Sequence, residues 1–112
     1  MATDDKYDRQ VRLWGANGQK ALAMAHILVL GTSSAVSETL KNLVLPGIGK
    51  FTTIDNAKVT QRDLGHDFFV SEEDIGQDKC EVVCKMMVEM NPDVKGAWIV
   101  SSVADFINSQ AE

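Results

Sequence analysis

The segment from Gly31 to Val36 has the position of a phosphate-binding turn between a strand and a helix. The usual fingerprint of such a turn, G-x-G-x-x-G, is followed by an acidic residue at the end of the next strand. Here only Gly31 is retained, whereas Ser33 and Val36 occupy the other two glycine positions. Asp55, 24 residues after Gly31, has the position of a ribose ligand.

The two lost glycines predict a weakened nucleotide site. The second glycine normally lets a phosphate approach the backbone, and Ser33 adds a side chain there. The third allows the helix to pack closely on the strand, and Val36 is much larger. The hydroxyls of Ser33 and Ser34 could still donate hydrogen bonds to a nucleotide, and an aspartate that ends a strand is often only a turn residue. Weak binding and a lapsed pocket both remain open, and the pattern favours the lapsed pocket.

The only two cysteines, Cys80 and Cys84, are spaced four residues apart on the apolar side of a predicted helix. This spacing differs from the C-x-x-C motif, and buried free thiols are the simplest interpretation. The two histidines, His26 and His66, lie far apart and have no cysteine at metal-site spacing. The sequence therefore predicts neither a thioester nucleophile nor a metal site.

Helical and strand patterns alternate along the chain. Gly15 and Gly18 are expected to break or bend the first helix, whose Trp14 is expected to pack it onto the rest of the fold. Phe68 and Phe69 are expected to anchor the longest loop. The patterns predict helices at 4–25, 35–45 and 78–91, strands at 26–30, 51–54 and 97–100, a loop at 56–74, and a polar tail or unfinished helix at 101–112.

This order predicts an α/β fold, the N-terminal half of a Rossmann-like, doubly wound parallel sheet with right-handed crossovers. We divide the chain into an N-terminal helical segment, residues 1–25, and a partial Rossmann-like domain, residues 26–112. Because three strands leave a long open edge, which is a liability in a free sheet, we expect the chain to be part of a longer protein.

Composition excludes several classes of protein. The chain has 112 residues, of which 45% are hydrophobic, so a packed core is feasible. A net charge of −5 argues against nucleic acid as a partner. No apolar run approaches the roughly 20 residues that span a bilayer, and the polar start is unlike a signal peptide. We therefore expect a protein of the cytoplasm and nucleus that has no membrane partner.

Three stretches go beyond the generic fold. They read YDRQVRLWG at residues 7–15, LKNLVLPGIGKFTTID at residues 40–55 and DIGQDKCE at residues 74–81. Together they resemble the enzymes that activate ubiquitin-like proteins, in the ThiF/MoeB adenylating superfamily. The match covers about residues 6–95, and the LPGIG segment is most similar to the regulatory subunits of neddylation activating enzymes. The sumoylation counterpart is the nearest rival.

In this family the active half binds ATP and magnesium and adenylates the C-terminal glycine of the modifier, and a cysteine in a separate domain then takes the modifier as a thioester. This sequence departs from the active pattern. Asp55 matches the first aspartate of an Asp-x-Asp motif, but Ala57 replaces the second. Asp63 and His66 replace an asparagine and an arginine that face ATP, and an aspartate there would repel phosphate. Lys79 matches the family lysine.

The resemblance thus implies a regulatory, non-catalytic half of a heterodimer, in which Gly31, Asp55 and Lys79 are vestigial cofactor-binding residues. ATP, magnesium, zinc and the catalytic cysteine are expected in the catalytic subunit, and a ubiquitin-like protein is the second expected partner. Arg9 matches an arginine that reaches across the interface to the partner's ATP, where a guanidinium can stabilise phosphate charge. Without the resemblance, Arg9 would be a solvated helix charge.

Three alternatives remain. An active ATP-using adenylating enzyme would need the glycines that Ser33 and Val36 replace. A fragment of a dinucleotide-dependent oxidoreductase would be compatible with Asp55 but not with the motif at residues 7–15. A plain interaction module would associate with no catalytic subunit of an activating enzyme.

Overall fold

The computed structural model of the protein describes residues 6–66 and 70–111. Helices and strands alternate in it as the sequence predicts, with strand ends shifted by one or two residues. The elements in chain order are α1 (Asp8–Met24), β1 (His26–Leu30), α2 (Ser34–Val44), β2 (Lys50–Asp55), α3 (Asp63–His66), a 3₁₀ turn (Glu72–Asp74), α4 (Lys79–Met90), β3 (Lys95–Val100) and α5 (Val103–Ala111).

The three strands form one parallel sheet in the order β1-β2-β3. Leu30 is in register with Ile54, and Asp55 is in register with Val100. The carboxyl ends of the strands therefore meet at one edge of the sheet, where α/β proteins place their ligands. The predicted α/β class and the parallel sheet are confirmed.

The main core lies between the sheet and the helices α2 and α4. Phe51 of β2 is fully buried there, against Leu40 and Val44 of α2 and Cys84 and Met87 of α4. These helical residues recur every three to four positions, which keeps them on one face of each helix. Burial of this apolar surface is the main stabilising term for the unit that holds the carboxyl edge in place.

Helix α1 consists of two helical pieces that join at Gly15, whose φ of 80° and ψ of 166° lie outside the helical region. The prediction of two pieces is confirmed, but Gly18 remains helical. The prediction for Trp14 is wrong, because its side chain is 43% exposed and lies against the second piece of α1. Its Nε1 donates a hydrogen bond to Gln19 Oε1 at 3.1 Å, and its ring covers Gly18 so closely that no Cβ would fit.

Tyr7 anchors α1 to the rest of the fold in place of Trp14. Its side chain is buried, and its hydroxyl donates a hydrogen bond to Asp93 Oδ2 at 3.1 Å. Two further bonds from α1 converge on the Pro46 carbonyl, which accepts from Gln10 Nε2 at 2.8 Å and from Gln19 Nε2 at 3.0 Å. Helix α1 is therefore fixed near the amino edge of the sheet, away from Asp55.

The segment predicted as a loop at 56–74 contains α3 and the 3₁₀ turn, so that prediction was too simple. Both are too short to produce a periodic apolar pattern. Val59 and Val70 anchor this segment by packing on Val82 of α4. Phe68 and Phe69, the predicted anchors, lie outside the described residues.

The last described segment is the helix α5. Of the two predictions made for residues 101–112, a polar tail and an unfinished helix, the structure therefore supports the helix. The side-chain oxygen of Ser102 accepts a hydrogen bond from the Asp105 N–H at 3.1 Å, as a residue that begins a helix does. Among the described helices, none has the length and apolar character needed to cross a membrane.

Candidate functional site

The turn between β1 and α2 is built by Gly31 and Ser33. Gly31 has a φ of 93°, which favours glycine, and its N–H donates to the Ile54 carbonyl at 2.9 Å. Ser33 caps α2, since its Oγ accepts a hydrogen bond from the Val36 N–H at 3.3 Å. The first N–H groups of a helix are the donors that phosphates use. The serine hydroxyl therefore occupies one donor that an intact site would offer to a nucleotide.

Asp55 ends β2 beside this turn, and both of its carboxylate oxygens have partners. Oδ2 accepts a hydrogen bond from the hydroxyl of Thr32, a residue that is almost completely buried. Oδ1 accepts from the N–H groups of Asn56 at 2.8 Å and Ala57 at 3.2 Å. A ribose hydroxyl would have to compete with these bonds, two of which come from the residues directly after Asp55.

Lys79 begins α4 on the same edge and is buried, with its Nζ 3.1 Å from Asp63 Oδ1. Asp63 Oδ2 accepts from the Thr60 N–H at 2.8 Å. The aspartate that was expected to repel phosphate therefore also holds the lysine that would attract it. Bonds inside the chain thus engage the polar side chains of Ser33, Asp55 and Lys79.

The Asp63 carboxylate is stabilised in its charged form. The Thr60 N–H, and then the Lys79 ammonium, lower the pKa of Asp63 below its ordinary value of 3.8. Between these two pKa values, the folded protein binds fewer protons at Asp63 than the unfolded chain does. Stability due to Asp63 is therefore fully present above pH 3.8 and is lost as the pH falls through the lower, folded value.

We expect Asp63→Asn to reduce the free energy of unfolding at pH 7 by about 2 kcal/mol, because hydrogen bonds to charged groups contribute about 1.5–3 kcal/mol. Denaturant unfolding of the intact protein at pH 7 and pH 3 measures this difference. Comparison of the variant with the unaltered protein at each pH cancels the contribution of the other carboxylates to the free energy of unfolding. A difference of the same size at both values would contradict a role for the Asp63 charge.

The structure brings three of the four predicted site residues to one edge. Gly31 and Asp55 are linked through Thr32, and the backbone N–H of Lys79 donates to the Ala57 carbonyl at 3.0 Å. Arg9 is not part of this cluster. It is exposed on α1, which is held near the opposite, amino edge of the sheet.

The cysteines have the environment that the sequence predicts. Cys80 and Cys84 are free and buried, and burial raises the pKa of Cys84 to about 11. A thiol with so high a pKa is mostly protonated near neutral pH and is a poor nucleophile. Within residues 6–66 and 70–111, no three His, Cys, Asp or Glu side chains gather as they would around a metal ion.

Two features of the site were missed at the sequence level. Thr32 was considered only as part of the turn from Gly31 to Val36, although its hydroxyl donates a hydrogen bond to Asp55. The pair between Asp63 and Lys79 joins residues 16 positions apart with no periodic relation. The only sequence signal for it was an acidic residue near the family lysine, which predicted repulsion of a ligand and not a bond inside the chain.

Comparison with known proteins extends these observations. The profile of the ThiF family matches residues 7–112. Among similar proteins, the NEDD8-activating enzyme E1 regulatory subunit of Danio rerio is 41% identical over 109 residues, which are 97% of this chain and 20% of the relative. The protein of the same name from Gallus gallus is 43% identical over 99 residues, 88% of this chain and 18% of the relative. The chain thus spans about a fifth of the length of these relatives.

Solved structures support the same fold. The tRNA N6-threonylcarbamoyladenosine dehydratase of Escherichia coli, TcdA, superposes with a TM-score of 0.83 over 96% of this chain and 47% of the other. The two sequences are 24% identical, so this likeness concerns the fold. This superposition agrees with the Rossmann-like fold that the sequence predicts.

Proposed function

The chain belongs to the ThiF family, and we propose that it forms part of the regulatory subunit of the heterodimeric enzyme that activates a ubiquitin-like protein in the neddylation pathway. The names of its relatives, at 41% and 43% identity, support this proposal. In the proposed complex, the catalytic subunit binds ATP and magnesium, adenylates the modifier and receives it as a thioester. This chain binds and completes that subunit.

One structural observation carries the non-catalytic part of the proposal. The polar groups that a nucleotide would need are engaged inside the chain, as Lys79 with Asp63, Asp55 with Thr32, and Ser33 with the start of α2. A nucleotide would have to break these bonds and also overcome the bulk of Ser33 and Val36, which stand in place of glycines. We therefore propose that the nucleotide site of this chain is inactive.

The proposal is tested first by association. The intact protein is coexpressed with the catalytic subunit of the neddylation enzyme or with that of the sumoylation enzyme, and each mixture is purified through a tag on the catalytic subunit. We expect a stable one-to-one complex with the neddylation subunit only, and ATP-dependent thioester formation by that complex. Association with the sumoylation subunit alone would overturn the choice of pathway, and association with neither would overturn the proposal.

The substitution Asp55→Asn distinguishes between the two hypotheses of a regulatory subunit and an active adenylating enzyme. The substitution keeps the size of the side chain and removes the charge that an active site would use. We expect the rate of thioester formation by the complex to change by less than about twofold, since loss of a working electrostatic contact typically costs about 10²-fold or more. Single-turnover kinetics with saturating ATP measure the rate. A large loss at equal complex formation would indicate that this chain itself uses a nucleotide.

A further inference from the structure

Three lysines differ from the others in having no ion-pair partner among the residues that the structure describes, and all three line one cavity. They are Lys20, Lys50 and Lys95. Each of the other lysines of the chain lies within 3.1 Å of a carboxylate oxygen. Those pairs are Lys6 with Asp93, Lys41 with Glu38, Lys58 with Asp78, Lys79 with Asp63, and Lys85 with Glu81.

The cavity has a volume of about 760 Å³ and lies between α1 and the amino edge of the sheet. His26, Lys50 and Lys95 begin the three strands and are register partners, so their side chains leave the same face of the sheet in one row. Lys20 contributes from α1. This edge is opposite to the one that carries Asp55 and Lys79, so the cavity is distinct from the candidate nucleotide site.

The carboxylates that line this cavity are already engaged. Asp8 forms an ion pair with Arg12 at 3.1 Å, and Asp93 accepts from Lys6 and from the Tyr7 hydroxyl, each at 3.1 Å. The lysines of the cavity are therefore not neutralised by its own acidic residues. Because the chain as a whole has a net charge of −5, this concentration of positive charge is a local exception to its acidic character.

Apolar side chains form a further part of the lining. Val11, Ala23 and Met24 of α1 and Ile48 before β2 contribute, and Met24 is largely exposed. A flexible methionine adapts to the shape of an apolar ligand group. The cavity thus offers separated positive charges around an apolar wall, which complements an anionic ligand that also carries apolar groups.

We propose that this cavity binds an acidic segment of a partner protein that places an apolar side chain between carboxylates. The size supports a peptide, since 760 Å³ is in the range of cavities that enclose whole organic ligands and is far larger than a single phosphate needs. The inference does not depend on the proposed function.

The test uses the intact protein and a fluorescein-labelled peptide of three Glu-Glu-Leu repeats, with binding measured by fluorescence anisotropy. We expect saturable binding that weakens as salt is raised, because exposed charges are screened. The double reversal Lys50→Glu with Lys95→Glu is expected to weaken binding at least about tenfold, since each of the two attractions becomes a repulsion. Lys85→Glu, on α4 and outside the cavity, is the matched control and is expected to change binding by less than about twofold.

Three results would overturn the proposal. A Gln-Gln-Leu peptide could bind as tightly, the double reversal could leave binding unchanged, or millimolar inorganic phosphate could displace the peptide completely, which would indicate a small-anion site. Thermal unfolding verifies that each variant is folded. If the reversal unfolds the protein, the milder Lys50→Gln with Lys95→Gln replaces it, with an expected weakening of about threefold.

Discussion

Replacing Arg9 with alanine is expected to slow thioester formation on the catalytic partner by about a hundredfold, while complex formation stays within about twofold. The magnitude follows from the loss of one preorganised donor to developing phosphate charge, which typically costs about 10²- to 10³-fold. The prediction depends on the proposed function and on the role that the family resemblance assigns to Arg9. Single-turnover formation of the thioester measures the rate, and size-exclusion chromatography measures assembly.

The surroundings of Arg9 are compatible with a role outside its own chain. Its side chain is exposed, and no described residue forms an ion pair with it. Arg12, one helical turn later, is instead held by Asp8 at 3.1 Å. The buried Tyr7, two residues before Arg9, fixes the start of α1 through Asp93. A guanidinium on an anchored helix loses less entropy on binding than one on a free terminus, which makes it suited to act in trans.

Arg12→Ala is the matched control for Arg9→Ala, since it removes the same charge from the same helix. We expect it to leave the rate within about twofold. Arg9→Lys should recover only part of the lost rate, because an ammonium lacks the planar fork of donors. Equal rates for Arg9→Ala and Arg12→Ala would contradict the trans role and would leave Arg9 as a solvated helix charge.

Helices with a periodic apolar pattern were predictable, because the spacing of the apolar residues indicates which face of the helix is buried. The apolar side of α4 that carries Cys80 and Cys84 is buried as predicted, and Val83 and Met87 are buried with them. The short apolar run at residues 26–30 could be assigned as a strand because it is too short for a helix. Trp14 could not be placed in this way. It ends the first helical piece of α1, directly before Gly15, whose φ of 80° and ψ of 166° interrupt the helix.

The sequence predicted where the candidate site lies, but it did not predict that bonds inside the chain engage the side chains of the site. Strand ends and the position of Gly31 located the carboxyl edge, because parallel strands bring their ends together. The bonds that engage Asp55 and Lys79 depend on Thr32 and Asp63, whose side chains meet them only in the folded chain. Likewise, Lys20 and Lys50 of the amino-edge cavity are 30 residues apart in the sequence, and Lys50 and Lys95 are 45 residues apart. Only the strand register aligns Lys50 with Lys95.

Gly49→Ala is expected to lower the free energy of unfolding of the intact protein by about 3 kcal/mol, at the upper end of the cost of overpacking. A Cβ at this position would lie 2.1 Å from the Ala23 carbonyl oxygen and 3.1 Å from that of Ala25. These are backbone atoms that cannot rotate away. The Gly49 N–H also donates to the Leu22 carbonyl at 3.1 Å, so the end of α1 and the start of β2 would have to separate. Denaturant unfolding followed by circular dichroism measures the loss.

Gly65→Ala gives the matched comparison, since a Cβ there meets no atom within 4 Å and the residue lies in the short helix α3. It should be neutral or stabilising by up to about 1 kcal/mol. Equal effects of the two substitutions would contradict the close packing of α1 on the sheet. If Gly49→Ala is costly, the last glycine of the LPGIG segment has a physical reason that is independent of any nucleotide. It lets the end of α1 approach the start of β2 closely, and it thereby helps to fix the helix that carries Arg9.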